Sequence, residues 1–252
     1  MTIPRIAMSE TTRRASLFWP SAISLGAVLV GLALGIWQVQ RLGWKTDLIA
    51  ERQARVMAPP LTALPADEAA AAATEFRRVV VSGRFDFSRE VHLAATTDRG
   101  NVGFQIIVPF RLADGREILI NRGWVPTAKR DPATRAAGQM AGEVTVGGLI
   151  RMGGRGGWFA APANDPQRNL WIWVDLPAIA AKVGIQPAPA FLVDAGPAPN
   201  PGGSPIGGQT RVNLPNDHLQ YALTWFSLAL VFAVMYGIYV RKHRREQVDA
   251  TQ

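Results

Sequence analysis

The chain holds three histidines, His92, His218 and His243, and no cysteine, which excludes disulfides, thiolate catalysis and cysteine-ligated metals. What chemistry it can do therefore turns on where its imidazoles stand. His218 is the most informative, because it lies within S-P-I-G-G-Q-T-R-V-N-L-P-N-D-H-L-Q-Y-A-L-T-W-F (Ser204 to Phe226), where a polar, glycine-rich approach becomes apolar enough to enter a bilayer. Pro215 ends the extended approach, and Asn216 is expected as N-cap, so His218 falls in the first turn of a helix at the membrane surface. An imidazole there can cap or hydrogen-bond, or it can ligate a bound group; the residues alone leave both open. His92, beside Val91 and Leu93 in a strand pattern, reads as a structural or surface residue, and His243, within R-K-H-R-R, as part of a cytoplasmic anchor. A membrane-anchored hydrolase is the alternative of another class. Against it, the sequence has no G-x-S-x-G or H-E-x-x-H, and its histidines are far apart with no clear serine partner.

The elements that must position these residues begin with two uncharged runs. Leu17 to Val39 would span about 34 Å as a helix, and Leu219 to Val240 is about the length needed to cross roughly 30 Å of hydrocarbon. The first run is too long for a signal h-region and passes straight into W-Q-V-Q-R-L-G-W-K without a small-residue cleavage site. No proline interrupts Ser21 to Ala58, so that helix is expected to continue toward Arg55, with Arg41, Lys45, Arg52 and Arg55 lining a basic stem. Gly31 and Gly35 form G-x-x-x-G, a spacing that lets another helix approach.

Charge assigns the sides. Residues 1–16 carry Arg5, Arg13 and Arg14 against Glu10, and the tail from Arg241 carries Arg241, Lys242, Arg244 and Arg245 against Glu246 and Asp249, together half of the net +8. By the positive-inside rule both termini are cytoplasmic. With no basic stripe interleaved with aromatics, nucleic-acid binding is not the reason for the basic composition. The expected organisation is a cytoplasmic tail (1–16), a transmembrane helix (17–39), a helical stem (40–57), an extracytoplasmic α+β domain (58–218), a second transmembrane helix (219–240) and a basic cytoplasmic tail (241–252).

Within the domain, Ala58 to Ala73 reads as a linker with a short helix. Arg77 to Phe85, Glu90 to Ala95, Gly103 to Leu112 and Glu117 to Val125 are β-branched and aromatic runs bounded by turn residues. Asp114-Gly115 marks a hairpin and so antiparallel pairing. Lys129 to Gly142 reads as a surface loop or short helix, Glu143 to Met152 as a strand, Gly153 to Gly157 as a flexible turn, Asp175 to Gly184 as a capped helix and Phe191 to Asp194 as a last strand. N-R-G-W (Asn121 to Trp124) and G-G-Q-T-R (Gly207 to Arg211) look like tight turns at the end of the sheet, with Arg122 in a buried ion pair or facing a partner. The fold class is thus an α+β membrane protein, two transmembrane helices flanking a mainly antiparallel sheet.

Three blocks together carry a resemblance. G-I-W-Q-V-Q-R-L-G-W-K (Gly35 to Lys45), G-F-Q-I-I-V-P-F with I-L-I-N-R-G-W-V-P (Gly103 to Pro126), and P-I-G-G-Q-T-R-V-N-L-P-N-D-H-L-Q-Y-A-L-T-W-F (Pro205 to Phe226) resemble the SURF1/Shy1 family of cytochrome c oxidase assembly proteins. The resemblance implies a non-enzymatic membrane protein that helps haem a reach the catalytic subunit of the oxidase, with the haem a synthesis machinery as a further partner. It also implies that His218, the histidine of N-x-H-L-x-Y-x-x-T-W, ligates the haem iron. On that reading Arg211, Arg41 and Lys45 pair with the propionates, and Trp37, Tyr221 and Trp225 pack on the macrocycle; the ordinary interfacial aromatic belt is the other reading of the same rings. A haem-independent scaffold for oxidase subunits is the alternative within this class. Because only residues 1–16 precede the first helix, where eukaryotic members carry a long presequence, a two-pass protein of the bacterial plasma membrane with a periplasmic domain is expected.

Overall fold

Sequence free of proline past the first turn lets one helix persist where most would stop. In a computed structural model, which describes residues 17–97, 100–154 and 162–249, α1 runs over Phe18–Met57 without a break. The chain divides into two compact units, one comprising the chain up to Leu48 together with Pro215 onward, the other Ile49–Leu214.

The first unit is a pair of helices, α1 and α4 (His218–Asp249). Their contacts run in opposite directions along the two sequences: Ser21 bonds Tyr236, Gly31 lies against Ala229, Gly35 against Phe226, Gln38 bonds His218, and Thr46 bonds Asn216. The helices are therefore antiparallel. A Cβ on Gly31 would sit 3.0 Å from Ala229 Cβ, and one on Gly35 would sit 2.5 Å from the Phe226 ring, so both glycines are fixed by close helix approach. The G-x-x-x-G face is occupied by the chain's own second helix. On α4 the facing residues His218, Ala222, Trp225, Ala229 and Tyr236 recur at steps of four, three, four and seven, the seam of a heptad pattern. Away from the seam, Ile23, Leu29, Ile36, Leu223, Leu230 and Val234 are exposed, as bilayer-facing side chains must be.

The second unit is built on seven strands: β1 (Arg78–Phe85), β2 (Val91–Thr96), β3 (Val102–Leu112), β4 (Glu117–Pro126), β5 (Val144–Arg151), β6 (Leu170–Trp171) and β7 (Leu192–Ala195). Five of the seven strand pairings are antiparallel, and β2–β6 and β4–β7 are parallel. Following neighbours from β1 leads through β5, β7, β4 and β3 back to β1, so five strands close into a ring, with β2 and β6 as a flap. Closure depends on β3 changing partner along one edge: Val102 to Ile107 pair with β2, and Phe110 to Leu112 with β1. Pro109 falls at the changeover, where its carbonyl accepts the Asp86 N–H (2.9 Å) and its missing N–H forfeits no ladder bond.

Alternation along the ring strands separates two cores. Val79, Val81, Phe110, Leu112, Ile118, Ile120, Ile150 and Val193 point into the ring, which α2 (Glu68–Ala73) helps close with buried Ala71. The opposite parity, Ile107, Leu119 and Leu192, joins Val91, Leu93 and Trp171 under α3 (Leu176–Val183). Helix α3 forms because Asp175 accepts the Ala178 N–H (3.1 Å), Pro177 sits in the first turn, and Gly184 ends it at φ 74°. Its stripe Leu176, Ile179, Ala180 and Val183 is buried, worth about 1.5–3 kcal/mol for each large side chain.

The structure corrects one turn. Asn121 to Trp124 is the interior of β4, where Gly123 (φ 118°) lets the Ile206 carbonyl come against its Cα, and Trp124 and Ile206 exchange two backbone bonds of 2.8 Å. Of the glycine turn at 153–157, only Gly153 and Gly154 lie within the described residues. The lower stem arginines are engaged locally: Arg52 stacks over Phe76 at 4.8 Å, and Arg55 bonds Glu51 at 2.7 Å.

Candidate functional site

Proline at 215 stops the extended approach, and α4 starts three residues later at His218, with the Asp217 carbonyl accepting the Tyr221 N–H at 3.2 Å. Asn216 is not the cap expected from the sequence. Its amide donates instead across the hairpin to Thr46 Oγ1 (3.3 Å), and its buried Oδ1 has no partner. The same crossing is made two residues later by the histidine: His218 Nδ1 lies 2.6 Å from Oε1 of Gln38. Gln38 is only 8 % exposed, a polar side chain buried in the helix seam. Reading the sequence did not single out Gln38; the signal was a lone amide at seam spacing from Gly31 and Gly35.

Around this pair the hairpin places most of the candidates drawn from the sequence. Trp37, Arg41 and Lys45 stand one turn apart on α1, with Arg41 stacked 3.8 Å over the ring of Trp44. Tyr221 and Trp225 share a face of α4 with His218. Trp37 and Tyr221 are about half exposed, at 51 % and 55 %, whereas Trp225 is partly covered and its carbonyl lies near Gly31. Arg211 belongs to the sheet unit, where its guanidinium donates to the Thr96 carbonyl at 3.1 Å. Among the described residues, no group of three or more His, Asp or Glu side chains could hold a metal ion.

A second polar cluster lies in the sheet unit. Glu90 accepts from His92 Nε2 (2.7 Å) and from Arg135, while Arg130 Nε donates to His92 Nδ1 (3.2 Å) and its Nη2 to the Arg168 carbonyl (3.0 Å). Burial alone would push the Glu90 carboxyl up, but the bonds from His92 and Arg135 outweigh it and hold it below the usual carboxylate range. His92 is thus a buried member of this cluster and not a surface residue. Arg135 was missed because it sits in a polar stretch that reads as solvated surface. Among the described residues Arg122 has no carboxylate partner: it donates to Gly138 O (2.6 Å) and Asn200 Oδ1 (2.7 Å), and lies 5.0 Å from the rings of both Phe85 and Phe87. Its burial, with Arg135 nearby and Glu90 opposing, pushes its pKa down to about 10, so it keeps its charge at neutral pH. His243 stacks on Tyr239 near the exposed end of α4.

Two antiparallel membrane spans that carry between them a closed five-strand ring define a two-pass membrane protein of α+β class. Comparison with known proteins is specific at this point: the SURF1 family model matches residues 25–230, and the chain belongs to that family. It is 42 % identical to Surfeit locus protein 1 of Rattus norvegicus over 77 % of this chain and 67 % of that protein. With the Homo sapiens Surfeit locus protein 1 it shares 41 % identity over 80 % of this chain and 71 % of that one. A SURF1-like protein of Monosiga brevicollis matches at 38 % identity over 93 % and 91 %.

Proposed function

We propose that this protein assists the assembly of cytochrome c oxidase by holding haem a through His218 and passing it to the catalytic subunit, without itself catalysing a reaction. The observation that carries this reading is the position of His218, in the first turn of a membrane helix and at the edge of a hairpin bearing Trp37, Arg41, Lys45, Tyr221 and Trp225. These residues fit the group: an imidazole for iron, cations for propionates and rings for the macrocycle. Haem would supply an iron that accepts a nitrogen lone pair; a single protein ligand suits cargo that must later be released. Arg211 is a propionate partner by family resemblance alone. The haem a synthesis machinery is the donor in this scheme.

Both termini are cytoplasmic and the sheet unit faces the periplasm; the basic residues Arg241, Arg244 and Arg245 just beyond the apolar run support that orientation. The membrane in this reading is the bacterial plasma membrane, whereas the relatives named above are eukaryotic. Fractionation of the source cells separates the two.

The test is to solubilise the protein from cells making haem a and record the spectrum of its bound pigment, then repeat with His218→Ala. Co-isolation of haem a and a changed iron spectrum in the variant are expected; unaltered affinity and spectrum would overturn the ligand assignment. A second reading is favoured by the same hydrogen bond, since a partly buried His–Gln pair across two membrane helices also fastens them. In that case the protein scaffolds oxidase subunits without touching haem, and cells lacking it would assemble an oxidase that contains haem a but lacks another component.

A further inference from the structure

An imidazole has two nitrogens, and which of them can bind a metal is decided by what the other one does. At His218 the structure makes that decision through Gln38. With Gln38 Oε1 turned toward the ring at 2.6 Å, the proton belongs on Nδ1, because an amide oxygen can only accept. The lone pair then lies on Nε2, toward which no hydrogen bond is directed among the described residues. The bond is well held. Gln38 is buried in the seam, Gly35 brings α4 against α1 one turn away, and Thr46–Asn216 closes the hairpin on the other side.

We infer that Gln38 is a positioning residue: it fixes His218 as the Nδ1–H tautomer and presents Nε2 as the ligating atom. The inference rests on the haem reading for its purpose but not for its geometry. Gln38 does not touch the cargo. It removes the alternative in which Nε2 carries the proton and Nδ1, close to the backbone, is the only lone pair. It also keeps the ring from turning, so an incoming iron meets a pre-oriented donor.

The experiment uses the full chain in detergent or nanodiscs, without haem, labelled with 15N-histidine. Imidazole nitrogen shifts distinguish the two tautomers, and the His218 signal is assigned by its loss in His218→Ala. The expected result is Nδ1–H for wild type, a shift toward Nε2–H in Gln38→Leu, and retention of Nδ1–H in Gln38→Glu, which keeps an acceptor in place. Observation of Nε2–H in the wild type would overturn the proposal, and requires no variant to fold. In haem titrations, Gln38→Leu is expected to bind about 10–100-fold more weakly and Gln38→Glu close to wild type. If the tautomer is as stated but His218→Ala takes up haem unchanged, the haem reading falls while the positioning of the ring stands; if Gln38→Leu alters the tautomer but not haem affinity, Gln38 has no bearing on ligation.

Discussion

Replacing Glu90 by glutamine keeps its shape and removes its charge, which isolates the value of one buried ion pair. The side chains of Glu90 and Arg135 are 5 % and 1 % exposed, so neither has water as a substitute partner. In the variant Arg135 keeps neutral acceptors only, the amide oxygen at 90, the Lys129 carbonyl (3.1 Å) and the Arg130 carbonyl (3.3 Å), and no carboxylate compensates its charge. Breaking such a pair by removing one partner costs about 3–5 kcal/mol, because the remaining charge stays buried and uncompensated. Against a stability of roughly 5–15 kcal/mol this is a large fraction. At about 2–4 °C per kcal/mol for a unit of this size, the midpoint should fall by about 6–20 °C. Tryptophan fluorescence on heating reports it directly, since Trp171 is packed in the core beside β2. Removing both charges in Glu90→Gln/Arg135→Met should be much milder than the single change, by about 2 kcal/mol or more. A midpoint for Glu90→Gln within about 2 °C of wild type, or strictly additive behaviour of the two changes, would refute the argument.

Three further outcomes are expected. Glu90 and Glu117 are both held below the usual carboxylate range, the latter first by its bond from Arg89, so each contributes stability that is complete above the unfolded value near 4.3 and is lost as pH falls through the folded one; acid titration of unfolding should therefore show loss below about pH 4, flattened in Glu117→Gln. Gly35→Leu forces a side chain into the Phe226 ring and should loosen the hairpin by about 1–3 kcal/mol. Because the chain has no cysteine, oxidative cross-linking of an engineered Gly31→Cys/Ala229→Cys pair, whose Cβ atoms would stand 3.0 Å apart, reads this, and an undiminished yield in the Gly35→Leu background would count against the packing described. Gly123→Ala and Gly115→Ala both place a side chain at positive φ, but only at 123 does a backbone carbonyl occupy the space; Gly115→Ala should cost about 1–2 kcal/mol and Gly123→Ala clearly more, measured by denaturant midpoints.

What the sequence conveys most clearly here is whatever depends on near neighbours. Uncharged length marked both spans, β-branched runs marked β1 to β5, and Asp175, Pro177 and Gly184 marked α3 because caps act within a turn. The ring did not show, since the β1–β3 pairing that closes it joins distant segments and turns on a single changeover at Pro109. Strand β6 has two residues and pairs in parallel with β2, too short for any periodicity to register. His218 was legible at the polar-to-apolar boundary, but its partner was not: Gln38 lies 180 positions earlier, and only the folded hairpin shows that an amide in α1 faces an imidazole in α4. Arg122 likewise could be named but not explained, because its acceptors Gly138 and Asn200 come from two loops.

The separation of Gln38 and His218 along the chain also sets a timetable. One is threaded into the lipid at the beginning of synthesis and the other at the end, after every strand of the ring has been made. A half-finished polypeptide therefore owns an acceptor with no ring to orient, and only a completed molecule with both helices in place brings the two together.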